Sequence, residues 1–243
     1  MLGSAFVYTG LAVTFLGSVA AARSGLRRQG LGVAASGVAL TAIGLLLPTK
    51  ESRVRRAFTQ LDRFIPAWQF HEVHDLTVAA SPEKVYEAIR HVRADEVRLF
   101  RALTWIRRAG KPRPGTLLDA GNADSLIAAA LESGFVTLAD EPPYELVVGI
   151  VISAPPSAKP KRPRDLFLSD LAPGYTLAAM NFAVTADGKG GSKVTTETRV
   201  FSSSEDLRRK FALYWRTIYP GSALIRRMWL RAIARRALSD VVS

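Results

Sequence analysis

The chain of 243 residues carries 33 Lys+Arg against 21 Asp+Glu, a formal net charge of +12. Such a basic excess suits nucleic acid, anionic lipid or acidic partners without choosing among them. Cysteine is absent, which excludes disulfides, thiolate metal sites and cysteine nucleophiles, and the length allows one or two domains with a substantial core.

The charge is unevenly placed. Residues 1–49 hold Arg23, Arg27 and Arg28 and no acid, whereas residues 204–243 hold nine basic and three acidic side chains. Within the first region, residues 1–22 and 29–49 are uncharged runs of 22 and 21 residues. At about 1.5 Å per residue each is long enough to cross a hydrocarbon core of about 30 Å. The intervening RSGLRR suits a tight turn at a membrane surface. Gly10, Thr14, Gly17 and Ala21 on the first run, and Gly37, Thr41 and Gly44 on the second, permit close helix contact. The expectation is a transmembrane hairpin over 1–49. Two other readings compete: a cleaved signal peptide ending near Ala20-Ala21-Ala22, against which the missing basic n-region counts, and a pair of buried core helices. The positive-inside bias compares the turn arginines with Lys50, Arg53, Arg55, Arg56 and Arg63, and places the C-terminal domain in the cytoplasm.

Residues 50–67 read as a basic juxtamembrane helix or linker, because Val54, Phe58, Leu61 and Ile65 recur at helical spacing. Arg53, Arg55 and Arg56 are candidates for anionic headgroups, with packing onto the next domain as the competing reading. From 68 to 243 strands and helices alternate. FHEVHDLTVAA (70–80) alternates and stops at Ser81-Pro82, where a helix is expected to start. A second helix is expected over 94–108, a Gly- and Pro-rich loop over 109–122 and a short helix near 123–133. FVTLADE (135–141) and YELVVGIVIS (144–153) flank Pro142-Pro143 as a hairpin, and 175–187 and 192–203 flank Gly188-Lys189-Gly190-Gly191 as another. Residues 154–174 read as a surface loop. A long C-terminal helix, interrupted at Pro220-Gly221, closes an α+β arrangement.

That order, with the opening LTVAASPEKVYEAI (76–89) and the closing VTTETRVFSSSEDLRRKFALYWRTIYPGSALIRRMWLRAI, resembles the START-like (SRPBCC, helix-grip) superfamily, which includes polyketide-cyclase-like and lipid-transfer-like domains. The resemblance covers roughly 68–240. It implies a curved antiparallel sheet around the long C-terminal helix, with a cavity between them for an apolar or amphipathic ligand, and it implies no reaction.

Candidate residues follow the elements. His71 and His74 lie three apart, which on a strand sends them to opposite faces, so the pair is not expected to share a metal. Glu197 and Arg199 share a strand face; there they either fix a polar ligand head or form an exposed pair of little energetic weight. Asn181, Trp105, Tyr214 and Trp215 are further ligand-lining candidates, with ordinary core packing as the alternative for the aromatics. No catalytic residue, metal ligand or cofactor is expected. Past Pro220-Gly221, Ile225, Met228, Trp229 and Ala232 form an apolar stripe. Arg227, Arg231 and Arg235 form a basic one suited to water or headgroups.

The function expected from this reading is a membrane-anchored module binding an apolar small molecule of lipid, isoprenoid or polyketide class, next to a bilayer with anionic headgroups. An enzyme of cyclase or hydrolase type acting on such a ligand is the alternative, a membrane-associated scaffold without ligand the third. Nucleic acid is not an expected partner, because the basic C-terminus matches no DNA-binding motif.

Overall fold

The computed structural model describes residues 2–97, 125–158 and 162–239. The described chain falls into two compact units, one of residues 1–50 with 209–219, the other of residues 51–208 with 220–243.

The first unit is built on a helical hairpin. Helices α1 (Leu2–Ala21) and α2 (Arg27–Leu46) are joined by a 3-10 turn, Ser24–Leu26. Both are long and apolar enough to cross a membrane, and 22% and 17% of their apolar windows are buried. Core helices of a soluble protein would bury far more, and here Phe15, Leu16 and Leu46 stand 68%, 63% and 83% exposed. The helices meet through glycine. An added Cβ on Gly10 would lie 2.7 Å from the Gly37 carbonyl oxygen, and one on Gly37 2.6 Å from that of Gly10. Gly17 with Gly30 and Gly3 with Gly44 repeat this reciprocal approach at 2.7–3.1 Å. Spacing of seven residues returns each glycine to the same stripe every two turns, so the two backbones touch along the hairpin. The guanidinium of Arg216, buried, donates to the carbonyls of Leu45 and Leu47 at the end of α2, where the helix presents unpaired acceptors and partial negative charge.

The second unit is an α+β domain. Its sheet runs β3-β7-β6-β5-β4, antiparallel throughout: β3 Phe70–Val78, β4 Val136–Glu141, β5 Glu145–Ser153, β6 Thr176–Ala186 and β7 Ser192–Ser202. The two hairpins expected at Pro142-Pro143 and at 188–191 are present, the second turning on Gly188 and Gly190 at φ 74° and 87°. Helix α4 (Pro82–His91) follows Ser81 with Pro82 in its first turn, and α5 spans Leu126–Glu132. The helix expected over 94–108 is described as a 3-10 turn at Ala94–Glu96; its remainder beyond 97, and the loop expected over 109–122, lie outside the described residues.

Register sorts the strand residues onto two faces. Glu72, His74 and Leu76 of β3, Val194, Thr196 and Thr198 of β7, and Met180, Phe182 and Val184 of β6 share one face. There they form a core with α4, α5 and the C-terminal half of the last helix, α7 (Glu205–Ser239), through Ile225, Met228, Trp229, Ala232 and Ile233. The expected apolar stripe of that helix is therefore buried, and Arg227, Arg231 and Arg235 are exposed. The other face is covered by a strap, residues 51–68. In it β1 (Ser52–Arg53) pairs with β2 (Ala67–Trp68) around α3 (Gln60–Phe64).

Three expectations change here. Residues 50–66 are not one juxtamembrane helix: Leu61, Phe64 and Ile65 are buried against the sheet while Phe58 is 82% exposed. Residues 154–174 are more than a surface loop, since α6 (Pro163–Leu166) presents Leu166 and Phe167 to the strap-side core. Phe167 fits over β5 because position 149 is glycine; a Cβ there would lie 2.7 Å from the Phe167 ring. Finally, α7 runs unbroken through Pro220. An interior proline costs about 3 kcal/mol, which packing of the segments on both sides of it outweighs.

Candidate functional site

Glu197 and Arg199 point to the strap, on the sheet face opposite α7, and neither lines a cavity between sheet and helix nor stands exposed. Arg199 is 5% exposed. Its guanidinium lies 2.8 Å from Asp62, 2.5 Å from Glu197 and 3.1 Å from the Ile65 carbonyl, with its carbon 4.0 Å from the centre of the Trp68 ring. The same Glu197 oxygen, Oε1, is also hydrogen-bonded to His71 Nε2 at 2.8 Å. Asp62 closes a capping box with Thr59 and accepts from the backbone N–H of Phe58 and Thr59. Burial pushes the Asp62 carboxyl up, but those backbone donors and Arg199 outweigh it and hold it below its ordinary value. Glu197 follows the same balance, burial raising it and His71 and Arg199 bringing it down. Their partners favour the anionic form of both, and through Arg199 they tie the strap to the sheet.

Asn181 belongs to the same face. Its amide donates to Glu145 at 2.6 Å and its carbonyl accepts from the Glu197 backbone N–H at 3.0 Å. Glu145 in turn accepts from the backbone N–H of Gln60 and Leu61 at the start of α3. Asn181 thus ties strand to strap, and its polar atoms are committed. Tyr214 and Trp215 are found in the unit of the hairpin, where their rings meet Phe211 at 5.5 and 6.0 Å and Trp215 meets Tyr219 at 6.1 Å. The stretch of α7 that lies on the sheet is 220–239 instead. Trp105 lies outside the described residues. Arg235 donates to the Glu96 carbonyl at 2.6 Å, beside an Arg236–Glu96 ion pair at 2.9 Å.

The helix face holds a second polar cluster. Glu72 is 1% exposed; one carboxyl oxygen is hydrogen-bonded to His74 Nε2 and the other accepts from Ser222 Oγ of α7, both at 2.8 Å. His71 and His74 do diverge to opposite faces, as their spacing requires. Among the described residues no group of three His, Asp or Glu side chains converges as a metal site. Next to His74 in register sits Thr196, whose other neighbour is Phe182. Trp229 meets Phe182 edge-on at 5.0 Å. Thr196 Oγ1 and Trp229 Nε1 are both buried and have no hydrogen-bond partner among the described residues.

No family model matches this chain, and no curated protein matches its sequence at a significant level. The chemistry must therefore be read from the site. On the helix face, Glu72, His74, Ser222, Thr196 and Trp229 supply a few polar groups in a surround of Met180, Phe182 and Val194. These residues are packed in the core between the sheet and α7, where polar groups are few and their partners matter. Glu72 and Ser222 are the residues that sequence reasoning missed. The signal was available in HEVH: strand alternation that separates the two histidines also puts Glu72 beside His74 on one face.

On the strap face there is also an open cleft of about 430 Å³, between α6 and the strap, with Phe64, Ile65, Leu166, Phe167, Leu177 and Phe201 in its lining and Arg53 and Arg63 among its polar residues.

Proposed function

We propose that the protein is a membrane-anchored binding module for an apolar or amphipathic small molecule, held between the sheet and the C-terminal half of α7. The observation that carries this reading is the pair of orphaned polar atoms, Thr196 Oγ1 and Trp229 Nε1, in the core between α7 and the sheet face that also carries the buried Glu72. Leaving a buried donor unmade costs about 1–3 kcal/mol. A ligand oxygen accepting from the indole N–H and the threonine hydroxyl would recover it, while its apolar body lies among Met180 and Phe182. The START-like resemblance agrees in element order: β3 and α4 open the domain, and β7 leads directly into the long helix. The hairpin supplies the anchor. The larger basic cluster after α2 favours the cytoplasmic side for the domain in this reading. Turnover on the ligand is the second reading, and the Glu72–His74 pair is the acid–base chemistry available to it.

The test is native mass spectrometry of the full chain extracted in detergent, alongside a Thr196→Val, Trp229→Phe double variant. An apolar small molecule should co-purify with the wild type and be lost, or bound at least roughly tenfold more weakly, in the variant. If no molecule is carried and the variant is simply more stable by about 1–3 kcal/mol, the orphaned atoms are a packing defect and the proposal fails.

A further inference from the structure

We propose that the cleft on the strap face takes one acyl chain of an anionic phospholipid, with the headgroup held by Arg53 and Arg63. This site is distinct from the one proposed on the helix face and does not depend on it.

The cleft is apolar in its lining and basic among its polar residues. Phe64, Ile65, Leu177 and Phe201 supply apolar surface from the strap and the sheet, and Leu166 and Phe167 supply it from α6. Leu168, also lining the cleft, is 61% exposed, an apolar side chain left in water. Two cations, Arg53 and Arg63, face one anion, Asp170, among the lining residues. Arg63 hydrogen-bonds the neutral side chain of Gln60 at 3.1 Å and has no carboxylate partner among the described residues. Arg53 shares an exposed 3.3 Å pair with Glu51, an attraction of little weight in water. A phosphate would accept charge-assisted bonds from both guanidinium groups.

The same strap carries Arg55, Arg56 and a Phe58 ring 82% exposed, with the Arg56 guanidinium 5.5 Å above it. An exposed aromatic among arginines is the composition of a membrane-contacting edge. Chain length sets the source of the ligand. Residues 47–52 alone separate Arg53 from Leu46, the last residue of α2, and an extended chain of that length spans at most about 25 Å. A cleft tethered so closely to two membrane-spanning helices meets bilayer lipid before it meets a soluble fatty acid.

The experiment uses the full chain in phosphatidylcholine nanodiscs. A phosphatidylglycerol with a diazirine in one acyl chain is compared with a phosphatidylcholine carrying the same chain, and adducts are mapped by peptide mass spectrometry. Labelling of residues 163–171 and of the Phe201 region by the anionic probe is expected to exceed that by the zwitterionic probe. Arg53→Ser and Arg63→Ser should each lower it roughly fivefold. Both side chains are exposed, so the variants should keep the wild-type melting profile. Lys84→Gln, which removes an exposed cation on α4, the helix packed on the sheet face opposite the cleft, should leave labelling unchanged. Adducts confined to α1 and α2, equal labelling by the two lipids, or an equal loss in Lys84→Gln would overturn the proposal. So would a diazirine fatty acid labelling the cleft where neither phospholipid does.

Discussion

Arg199 sits between two carboxylates, Asp62 from the strap and Glu197 from its own strand, at 2.8 and 2.5 Å. Removing one partner of a buried ion pair strands the remaining charge, at a cost of about 3–5 kcal/mol. Arg199→Met should therefore destabilise the domain by that amount in urea melts. Arg199→Lys should recover only part of it, since an ammonium cannot fork between two acids and also stack on Trp68. The same residues set an acid limit. Asp62 and Glu197 have folded values below their unfolded ones, so their contribution is full above the unfolded carboxyl range, about 3.9–4.3. It is lost as pH falls through the lower folded values. Tryptophan fluorescence, reporting on Trp68, should show the strap loosening below about pH 4, and a melt unchanged between pH 6 and pH 3 would contradict this. Alternation in SKVTTETRVFSS placed Glu197 and Arg199 together on one face. Whether that face was wet, dry or ligand-lined depended on a segment more than a hundred residues upstream in the chain.

At the level of elements, the hairpin tests its own glycines. Gly37→Leu would force a side chain into the Gly10 backbone and should separate α1 from α2, at the upper end of the 1–3 kcal/mol typical of overpacking. Gly32→Leu is the control, because a Cβ at Gly32 meets nothing within 4 Å. The readout is protease protection of residues 1–50 in micelles, and equal protection in the two variants would refute backbone contact as the basis of the hairpin. Gly10, Gly17, Gly37 and Gly44 were legible as a small-residue stripe; the spacing of seven that adds Gly3 and Gly30 is also in the sequence. The strap was less legible. Leu61 and Ile65 do recur at helical spacing and are buried, but Val54 and Phe58 complete that period only on paper, because 52–53 pair with 67–68 as strand. A short apolar period cannot tell a helix from a strand–turn–helix that buries the same residues. Pro220 misled in the other direction, since local propensity yields when the flanking turns are packed.

For the whole molecule, long runs and repeated patterns carried most of the architecture. Two uncharged stretches of membrane-crossing length, four alternating strands with Gly- or Pro-marked turns and an amphipathic last helix follow from residue order alone, because each depends on neighbours within a few positions. The division into units did not follow. Phe211, Tyr214, Trp215 and Arg216 read as part of the helix gripping the sheet, yet they group with residues 1–50. A single continuous helix can serve two packing environments without any change in its own periodicity. Burial of charge was equally hidden. Asp62, Glu72, Glu145 and Arg199 look like solvated residues in the sequence, and each is buried with a named partner from a distant segment. The sequence by itself determined which elements form and which side chains share a face, since these are local matters of period and turn chemistry. Only the tertiary structure decided which face each element covers and which polar groups are left unpaired, because desolvation is a property of what packs on top.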